Sequence, residues 1–358
     1  MNQIDSIHVI GSRPSGGAER FYSRLVLALN EQGHRALAVN QPGSAVSQQI
    51  GSGAEQYQIR MRGVWDAFAR FQLGRLAARR EAPVVQTYMG RATRIFRRQT
   101  RGTAVHVARL GGFYDVAGYK HADALVGNSR GICDHLVRSG MPASSVHYIG
   151  NFVDPEPEVE ALARAAIKKS YGIHNDEWAV VFVGRLHKNK GLPDLLAAFE
   201  RLPAEVDGRR VNLVLAGDGP EHDKLKAQAG ALWSSSRIRF LGWVDDPAAC
   251  YAMADLFVCP SVHEPLGNVV LEAWAHAVPV VSTRSQGPSE YMHDGVDGWL
   301  TNVSDPRQLA AAMEHALRLP EPDRKAIGQA GLEQVKANHS RAKVTSEYLQ
   351  LYATLTGN

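Results

Sequence analysis

The sequence has 358 residues, of which 44% are hydrophobic and 21% charged, and its formal net charge is +4. This composition is ordinary for a globular protein, and the length suits two domains of about 150 to 200 residues each. No run approaches the roughly 18 apolar residues of a transmembrane helix, which argues against an integral membrane protein.

Short apolar runs alternate with helical or loop segments over the first 150 residues. The predicted strands are SIHVIGS, RALAVNQ, VVQTY, TAVHVARLGG, ADALVGNS and VHYIGN. The segment FYSRLVLALNEQGH follows the glycine turn RPSGGAERF and predicts a helix that ends at Gly33. Such alternation indicates βαβ units and a parallel sheet, whose ligands bind at the carboxyl ends of the strands. Because MNQIDSIHVIGS leads directly into a strand, we expect no secretory signal.

Arginine is concentrated between Arg60 and Arg101, where eleven Arg are accompanied only by the acids Asp66 and Glu81, a local balance of +9. The same stretch contains apolar aromatic groups that could insert into a membrane interface, namely Trp65, Phe68, Phe71 and Phe96. One interpretation is a surface that docks on an anionic membrane or an anionic acceptor. The other places the aromatics in the core and leaves the arginines solvated. Nucleic acid is not an expected partner, because no nucleic-acid motif is present.

The segment NFVDPEPEVE, rich in proline and acidic residues, predicts a hinge between domains at 1–150 and 151–340. A second alternation follows it, with strands predicted at WAVVFVG, VNLVLAG, RIRFLG, LFVCPS, VPVVS and GWL. The predicted fold class is therefore α/β, with two doubly wound Rossmann-like domains. Three cysteines lie far apart without metal-type spacing, which predicts reduced thiols in a cytosolic protein: Cys133, Cys250 and Cys259.

The segment VGRLHKNKGLPDLL ends a predicted strand with Arg185 and Lys190, five residues apart around a glycine turn. Fixed cations stabilise the negative charge that grows on a departing phosphate, and both residue types bind phosphate well. The alternative is a cationic surface loop. No two aspartates stand two residues apart, so the metal-binding Asp-x-Asp pattern is missing. We therefore predict a site without metal or other cofactor.

The stretch from Asp255 to Ser282, DLFVCPSVHEPLGNVVLEAWAHAVPVVS, predicts strand, loop, helix and strand. Backbone N–H groups of the helix start, at Gly267, Asn268 and Val269, would bind an anion, helped by the helix dipole. Glu264 precedes this start and Glu272 follows it, with seven residues between them. The arrangement suits a nucleotide-diphosphate sugar, whose hydroxyls donate to the carboxylates. Alternatively, Glu264 caps the helix and Glu272 lies on a solvated face.

The run HEPLGNVVLEAWAHAVPVVST closely resembles the glutamate–seven–glutamate motif of retaining glycosyltransferases of family 4, the group 1 glycosyltransferases. VGRLHKNKG resembles that family's GR-x-x-x-x-KG element, although the family usually has an aromatic residue where Leu266 stands. The resemblance implies the GT-B architecture, with an acceptor-binding first domain, a donor-binding second domain and a cleft between them. It also implies that the last helix, about 341–358, packs back on the first domain.

The resemblance further implies site residues, named here by their positions in this chain. The catalytic set is Arg185, Lys190 and Glu264. The donor-binding set adds Gly16, Gly17, Gly217, Val244, Leu266, Gly267, Asn268, Val269 and Glu272. Acceptor contacts are expected from Glu19, Arg109 and Tyr114. The family's usual histidine at the end of the strand TAVHVARLGG is missing, because His106 lies too early and is expected to be structural; Arg109 is the expected substitute.

The function implied is a retaining, metal-independent hexosyltransferase that moves a sugar from a nucleotide-diphosphate donor, with a UDP-sugar favoured. The expected acceptor is a cell-envelope glycan or a lipid-linked acceptor such as lipopolysaccharide core. The protein would then be cytoplasmic, at the inner face of the membrane if the arginine surface binds lipid. The alternatives are a sugar-nucleotide epimerase or phosphorylase of the same fold, and a non-catalytic partner that binds a nucleotide sugar.

Overall fold

The computed structural model describes residues 3–14, 16–97 and 104–357. The chain divides into two compact units. Unit 1 comprises Met1–Phe152 and Arg341–Asn358, and unit 2 comprises Val153–Ser340. The division lies two residues after the predicted boundary at 150. Within the described ranges, no helix combines the length and the apolarity needed to cross a membrane.

Unit 1 is built on a parallel sheet, as its alternating pattern predicts. Its strands are β1 (Asp5–Ile10), β2 (Arg35–Asn40), β3 (Gln56–Gln58), β4 (Val84–Tyr88), β5 (Val105–Leu110), β6 (Ala124–Gly127) and β7 (Val146–Tyr148). Its helices up to residue 152 are α1 (Gly17–Glu31), α2 (Ala45–Ile50), α3 (Ala67–Arg80), α4 (Met89–Ile95) and α5 (Arg130–Arg138). The described strands pair in the order β3-β2-β1-β4-β5-β6-β7. Strand β1 lies near the middle of the sheet, and five of its six residues are buried.

Unit 2 repeats this architecture. Its helices are α6 (Ala161–Ser170), α7 (Leu192–Arg201), α8 (His222–Gly230), α9 (Ala248–Met253), α10 (Asn268–Ala275), α11 (Pro288–Tyr291), α12 (Pro306–Arg318) and α13 (Glu321–Asn338). Its strands are β8 (Trp178–Val183), β9 (Glu205–Val206), β10 (Arg209–Ala216), β11 (Ile238–Gly242), β12 (Leu256–Cys259), β13 (Val280–Thr283) and β14 (Trp299–Thr301). In the sheet of unit 2 the strands pair in the order β11-β10-β8-β12-β13-β14, and β9 pairs antiparallel with β10. The ends of unit 2 meet, because the Val153 N–H donates to the His339 carbonyl at 3.1 Å.

A buried ion-pair cluster lies at the amino end of β12. The carboxylate of Asp255 accepts hydrogen bonds from Lys168 Nζ and Arg164 Nη2, each at 2.7 Å, and from the Ala179 N–H at 2.8 Å. Burial alone would raise the pKa of this carboxyl, but the two cations outweigh it and hold the pKa below its usual value. The cluster therefore ties α6 to the central strands of unit 2.

Helix α14 (Arg341–Thr356) packs within unit 1. Tyr348 and Tyr352 are fully buried; the Tyr352 hydroxyl donates to Gln86 Oε1 at 2.7 Å, and Arg109 Nε donates to the Tyr348 hydroxyl at 3.1 Å. The guanidinium of Arg109 lies 4.0 Å from the centre of the Phe21 ring, and the residue is 2% exposed. Arg109, expected to contact the acceptor, is thus enclosed by aromatic rings, which favours a role in holding α14.

The three cysteines are free thiols. Cys250 and Cys259 are buried and Cys133 is half-buried. Burial raises the pKa of the Cys250 thiol to about 11, so this side chain stays protonated at neutral pH.

Candidate functional site

Two loops of unit 2 join at the carboxyl edge of its sheet, because the strands that precede them, β8 and β12, are neighbours. The N–H groups of Val262 and His263 donate to the Asn189 carbonyl at 2.8 and 3.1 Å. Gly191 has φ +62°, and a Cβ there would lie 2.0 Å from the Pro260 carbonyl oxygen. Only glycine therefore allows these two loops to approach so closely.

This junction brings together two predicted site residues, Lys190 and Glu264. Lys190 Nζ forms an ion pair with Glu264 Oε2, and Ser261 Oγ donates to the same oxygen at 3.0 Å. The side chains are 21% and 11% exposed, respectively. Burial disfavours the charged ammonium, but the attraction of Glu264 outweighs it and raises the pKa of Lys190. The site therefore holds a fixed cation directly beside a carboxylate.

Helix α10 begins four residues after Glu264 and directs its first N–H groups to the same edge. Its N-cap, Gly267, has φ +91°, and a Cβ there would lie 2.8 Å from the Tyr291 hydroxyl. As a glycine, Gly267 has no side chain with which to cap the helix start. Asn268 and Val269 are half-buried in its first turn. The arrangement leaves a helix dipole, a cation and a carboxylate around one region of unit 2.

Glu272 lies one turn further along α10 and is half-buried. The hydroxyl of Tyr251, on α9, donates to Glu272 Oε2 at 2.9 Å. This bond fixes the carboxylate, which distinguishes it from an acid on a freely solvated helix face. Its second oxygen suits a ligand hydroxyl.

The remaining predicted donor residues have different surroundings. Arg185 follows β8, is exposed, and forms no ion pair with any carboxylate in the described part of the chain. Gly217 has φ +143°, and a Cβ there would lie 1.9 Å from the Gly184 carbonyl oxygen, so the loops after β8 and β10 touch through their backbones. Val244 is half-buried against the core, and Leu266 is 5% exposed. The structure thus joins Lys190 to Glu264 but does not bring Arg185 into the same contact.

The predicted site residues of unit 1 lie near the starts of α1 and of the loop after β5. Gly16 is the N-cap of α1 and Gly17 its first residue; a Cβ on Gly16 would lie 2.9 Å from Glu19 Oε2. Glu19 is 6% exposed. Tyr114 is half-buried and stacks on Tyr119, with 6.3 Å between ring centres, and burial raises the pKa of its hydroxyl.

His106 occupies a structural position, in keeping with the sequence interpretation. The residue is fully buried, and its Nε2 lies 2.9 Å from Thr87 Oγ1. Burial lowers the pKa of the ring to about 3, so the imidazole is neutral at physiological pH.

The arginine-rich stretch separates into exposed and buried parts. Trp65 is 82% exposed, and Phe68 and Phe71 are 69% and 59% exposed on α3. Phe96 is 3% exposed and packs in the core against His106, so its prediction as an interfacial group is wrong. Some arginines are paired with acids, namely Arg80 with Glu55 and Arg94 with Asp115. Arg98 and Arg101 lie outside the described residues.

Two residues that hold the site were not predicted from the sequence. Ser261 supports Glu264, and Tyr251 supports Glu272. Ser261 stands three residues before Glu264 in the same loop. A hydroxyl so close in sequence to a predicted site carboxylate could have been predicted to bond to it. Tyr251 offers no such signal, because its contact depends on how α9 packs against α10.

Comparison with known proteins identifies the family of this chain and solved structures with the same fold. The family model for glycosyl transferases group 1 matches residues 147–334. The lipopolysaccharide core biosynthesis glycosyltransferase LpsE of Rhizobium meliloti is 35% identical over 344 residues, which cover 95% of this chain and 96% of that protein. LpsD of the same organism, also a lipopolysaccharide core biosynthesis glycosyltransferase, is 30% identical and covers 94% and 95%.

Solved structures with the same fold include Alr3699/HepE of Anabaena in complex with UDP. It has a TM-score of 0.85 at 18% identity, and the match covers 98% of this chain and 100% of that one. WaaG, a glycosyltransferase involved in lipopolysaccharide biosynthesis, has a TM-score of 0.72 at 18% identity, covering 99% and 100%. These similarities confirm the predicted GT-B fold class, with its two Rossmann-like domains.

Proposed function

Because this chain belongs to the group 1 glycosyltransferases, we propose that it moves a hexosyl group from a nucleotide-diphosphate sugar to a glycan acceptor of lipopolysaccharide core synthesis. The observation that carries the proposal is the junction of Lys190 and Glu264 beside the start of α10. A UDP-sugar is the proposed donor, supported by the UDP complex of the structural neighbour HepE.

The donor is proposed to bind on unit 2, with each part of it matched to one group. The diphosphate lies at the N–H groups of Asn268 and Val269 and beside the ammonium of Lys190, where positive potential is concentrated. Arg185, exposed after β8, adds its guanidinium to the same phosphates. Glu272 accepts from the ribose, with Tyr251 holding the carboxylate in place.

Glu264 is proposed to orient the transferred sugar. Within the described residues, the hydrogen bonds to its carboxylate end on Oε2, so Oε1 is placed to accept from a sugar hydroxyl. The reaction is proposed to retain the anomeric configuration: the acceptor hydroxyl attacks on the face from which the diphosphate leaves, and a leaving phosphate oxygen takes its proton. In this scheme no protein side chain serves as a separate base.

Metal independence is part of the proposal. Lys190, Arg185 and the α10 dipole supply positive charge to the leaving group, and the sequence contains no Asp-x-Asp pattern. Turnover should therefore be unchanged by EDTA. Loss of activity in EDTA that Mn²⁺ restores would contradict this.

A panel of UDP-, GDP- and ADP-sugars tests the donor. A specific donor at about a hundred times its Kd stabilises the fold by about 2.7 kcal/mol. For a unit of this size, that raises Tm by about 5 to 10 °C. Radiolabel transfer to an acceptor by the isolated chain then excludes the non-catalytic alternative, and nucleotide release without any acceptor would favour an epimerase. NMR of the product's anomeric proton tests retention.

Peripheral membrane binding through α3 is also proposed, with the protein in the cytoplasm. Phe68, Phe71, Arg75 and Arg79 are exposed and follow helical spacing, so they share one face of α3. Aromatic groups beside arginines suit an anionic bilayer, where each basic residue contributes about 1 kcal/mol. Co-sedimentation with phosphatidylglycerol vesicles should exceed that with phosphatidylcholine and fall as salt is raised. Equal binding to the two kinds of vesicle would contradict membrane docking and favour the interpretation that the arginines are only solvated.

A further inference from the structure

Unit 1 contains a cavity of about 640 Å³ that the site described on unit 2 does not use. Its lining includes four arginines together with a buried glutamine and a buried methionine: Arg13, Arg60, Arg62, Arg91, Gln41 and Met61. The volume lies within the usual range for small-molecule sites, about 300 to 1,000 Å³.

The cavity lies at the carboxyl edge of the unit 1 sheet. Arg13 follows β1, Gln41 follows β2, Arg60 follows β3 and Arg91 lies at the start of α4, directly after β4. These four strands are consecutive neighbours in the sheet. The carboxyl edge is where open parallel sheets bind their ligands, so the position itself favours a binding site.

Hydrogen bonds connect the loops that form the cavity wall. The buried side chain of Gln41 donates from Nε2 to the Gly11 carbonyl at 2.6 Å, and its Oε1 accepts from the Met61 N–H at 3.2 Å. Arg91 Nη1 donates to the Gly11 carbonyl at 2.9 Å and to the Met61 carbonyl at 3.4 Å. The loops after β1 and β3 are thus tied to one another around the cavity.

The positive charge of the cavity is not neutralised within it. The lining contains no carboxylate, and among residues 3–14, 16–97 and 104–357 none of the four arginines forms an ion pair with one. The acid closest in sequence, Asp66, uses Oδ2 to accept from the Arg62 N–H and Oδ1 to accept from the Ala69 N–H, both at 3.0 Å. Four arginines around one space give the cavity an excess of positive charge, which a bound oxyanion would balance.

We propose that this arginine cavity binds a phosphate group of the acceptor. The assignment of this phosphate to the acceptor rests on the proposed glycosyl transfer. Binding of an anion by the cavity does not depend on that function. Guanidinium groups donate paired N–H bonds to phosphate oxygens, and clusters of arginine are a common means of phosphate recognition. The cavity would thus select acceptors that carry a phosphate group.

The test measures binding of inorganic phosphate and of pyrophosphate to the full chain by calorimetry, with UDP present to occupy the donor site. The variant Arg13→Gln/Arg60→Gln removes two exposed cavity cations. The control Arg75→Gln/Arg79→Gln removes the same charge from the exposed face of α3, outside the cavity lining. We expect the cavity variant to bind phosphate at least about tenfold more weakly and the control to bind almost as the wild type does. Equal losses in both variants, or no loss in the cavity variant, would overturn the proposal.

A second arm separates the two sources of phosphate. If the group belongs to the acceptor, the cavity variant keeps its binding to phosphatidylglycerol vesicles and, in the transfer reaction, raises KM for acceptor without changing KM for donor. If vesicle binding falls in parallel with phosphate binding while KM for acceptor is unchanged, the cavity holds a lipid headgroup and the acceptor assignment is overturned. UDP binding reports on unit 2 in every variant, so failure of the proposed donor site remains distinguishable from failure of the cavity.

Discussion

Replacing Lys190 with alanine separates the catalytic from the structural contribution of the ion pair with Glu264. If Lys190 stabilises charge on the departing diphosphate, its loss removes a charge-assisted contact of about 1.5–3 kcal/mol from the transition state. At about 1.4 kcal/mol per factor of ten, kcat should fall roughly 10- to 150-fold, together with a rise in KM. Lys188→Ala is the matched control, because Lys188 is an exposed cation on the same turn.

The same substitution leaves the carboxylate of Glu264, 11% exposed, without its cation. An unpaired buried group costs about 1–3 kcal/mol, which lowers Tm by a few degrees in a unit of this size. The double variant Lys190→Ala/Glu264→Gln removes the unpaired charge, so Tm should recover while kcat does not. Fixed-time transfer assays measure kcat, and scanning calorimetry measures Tm.

The catalytic assignment of Lys190 would be refuted by any of three results. The first is a kcat unchanged within about twofold, with only KM affected, which would make Lys190 a residue of uniform binding. The second is a comparable loss in Lys188→Ala, which would point to the general charge of the loop. The third is recovery of kcat in the double variant, which would trace the loss to misfolding around Glu264.

Two further predictions concern unit 2. Glu272→Ala should weaken UDP binding by about 1.5–3 kcal/mol through loss of a charged acceptor, whereas Tyr251→Phe, which removes only the supporting hydroxyl, should have a smaller effect; unchanged affinity in calorimetry would contradict the ribose role. Asp255→Asn should destabilise the fold by about 3–5 kcal/mol, because Lys168 and Arg164 lose their buried counterion. Since the folded pKa of Asp255 lies below the ordinary value of 3.8, its stabilisation is present above that pH and is lost as pH falls through the folded pKa. The difference in unfolding free energy between wild type and Asp255→Asn should therefore narrow on acidification in urea melts, and a constant difference would contradict the ion-pair explanation.

The fold was largely predictable because buried parallel strands are continuous apolar runs that differ visibly from their surroundings. Strands β8 (WAVVFV) and β12 (LFVC) are such runs. Strand β3 was not predicted, because it has only three residues and two of them, Gln56 and Gln58, are polar. Its place at the sheet edge comes from pairing with β2, which no local pattern specifies.

The sequence pattern indicates which residues form the candidate site but does not indicate their contacts. The sequence indicates that Lys190 and Glu264 each follow a strand, yet their ion pair depends on β8 and β12 being neighbours in the sheet. Arg109 is a residue whose position in the sequence suggested a site that its surroundings in the fold do not favour. It stands at the end of a strand, where a site cation is expected, but Tyr348, 239 residues further along the chain, encloses it in the core.

The route of the chain through its two units makes unit 2 an insertion. The chain leaves unit 1 after residue 152 and re-enters it at residue 341, and the two ends of unit 2 are already joined by the bond between Val153 and His339. A segment whose ends touch can be exchanged for another of the same kind without stretching the host around it. Under the proposed assignment of the donor site to unit 2, grafting residues 153–340 from a relative as one segment should change donor preference. Cutting the chain before residue 341 has the opposite effect, because it strips Tyr348 and Tyr352 from the core of unit 1 and leaves unit 2 whole.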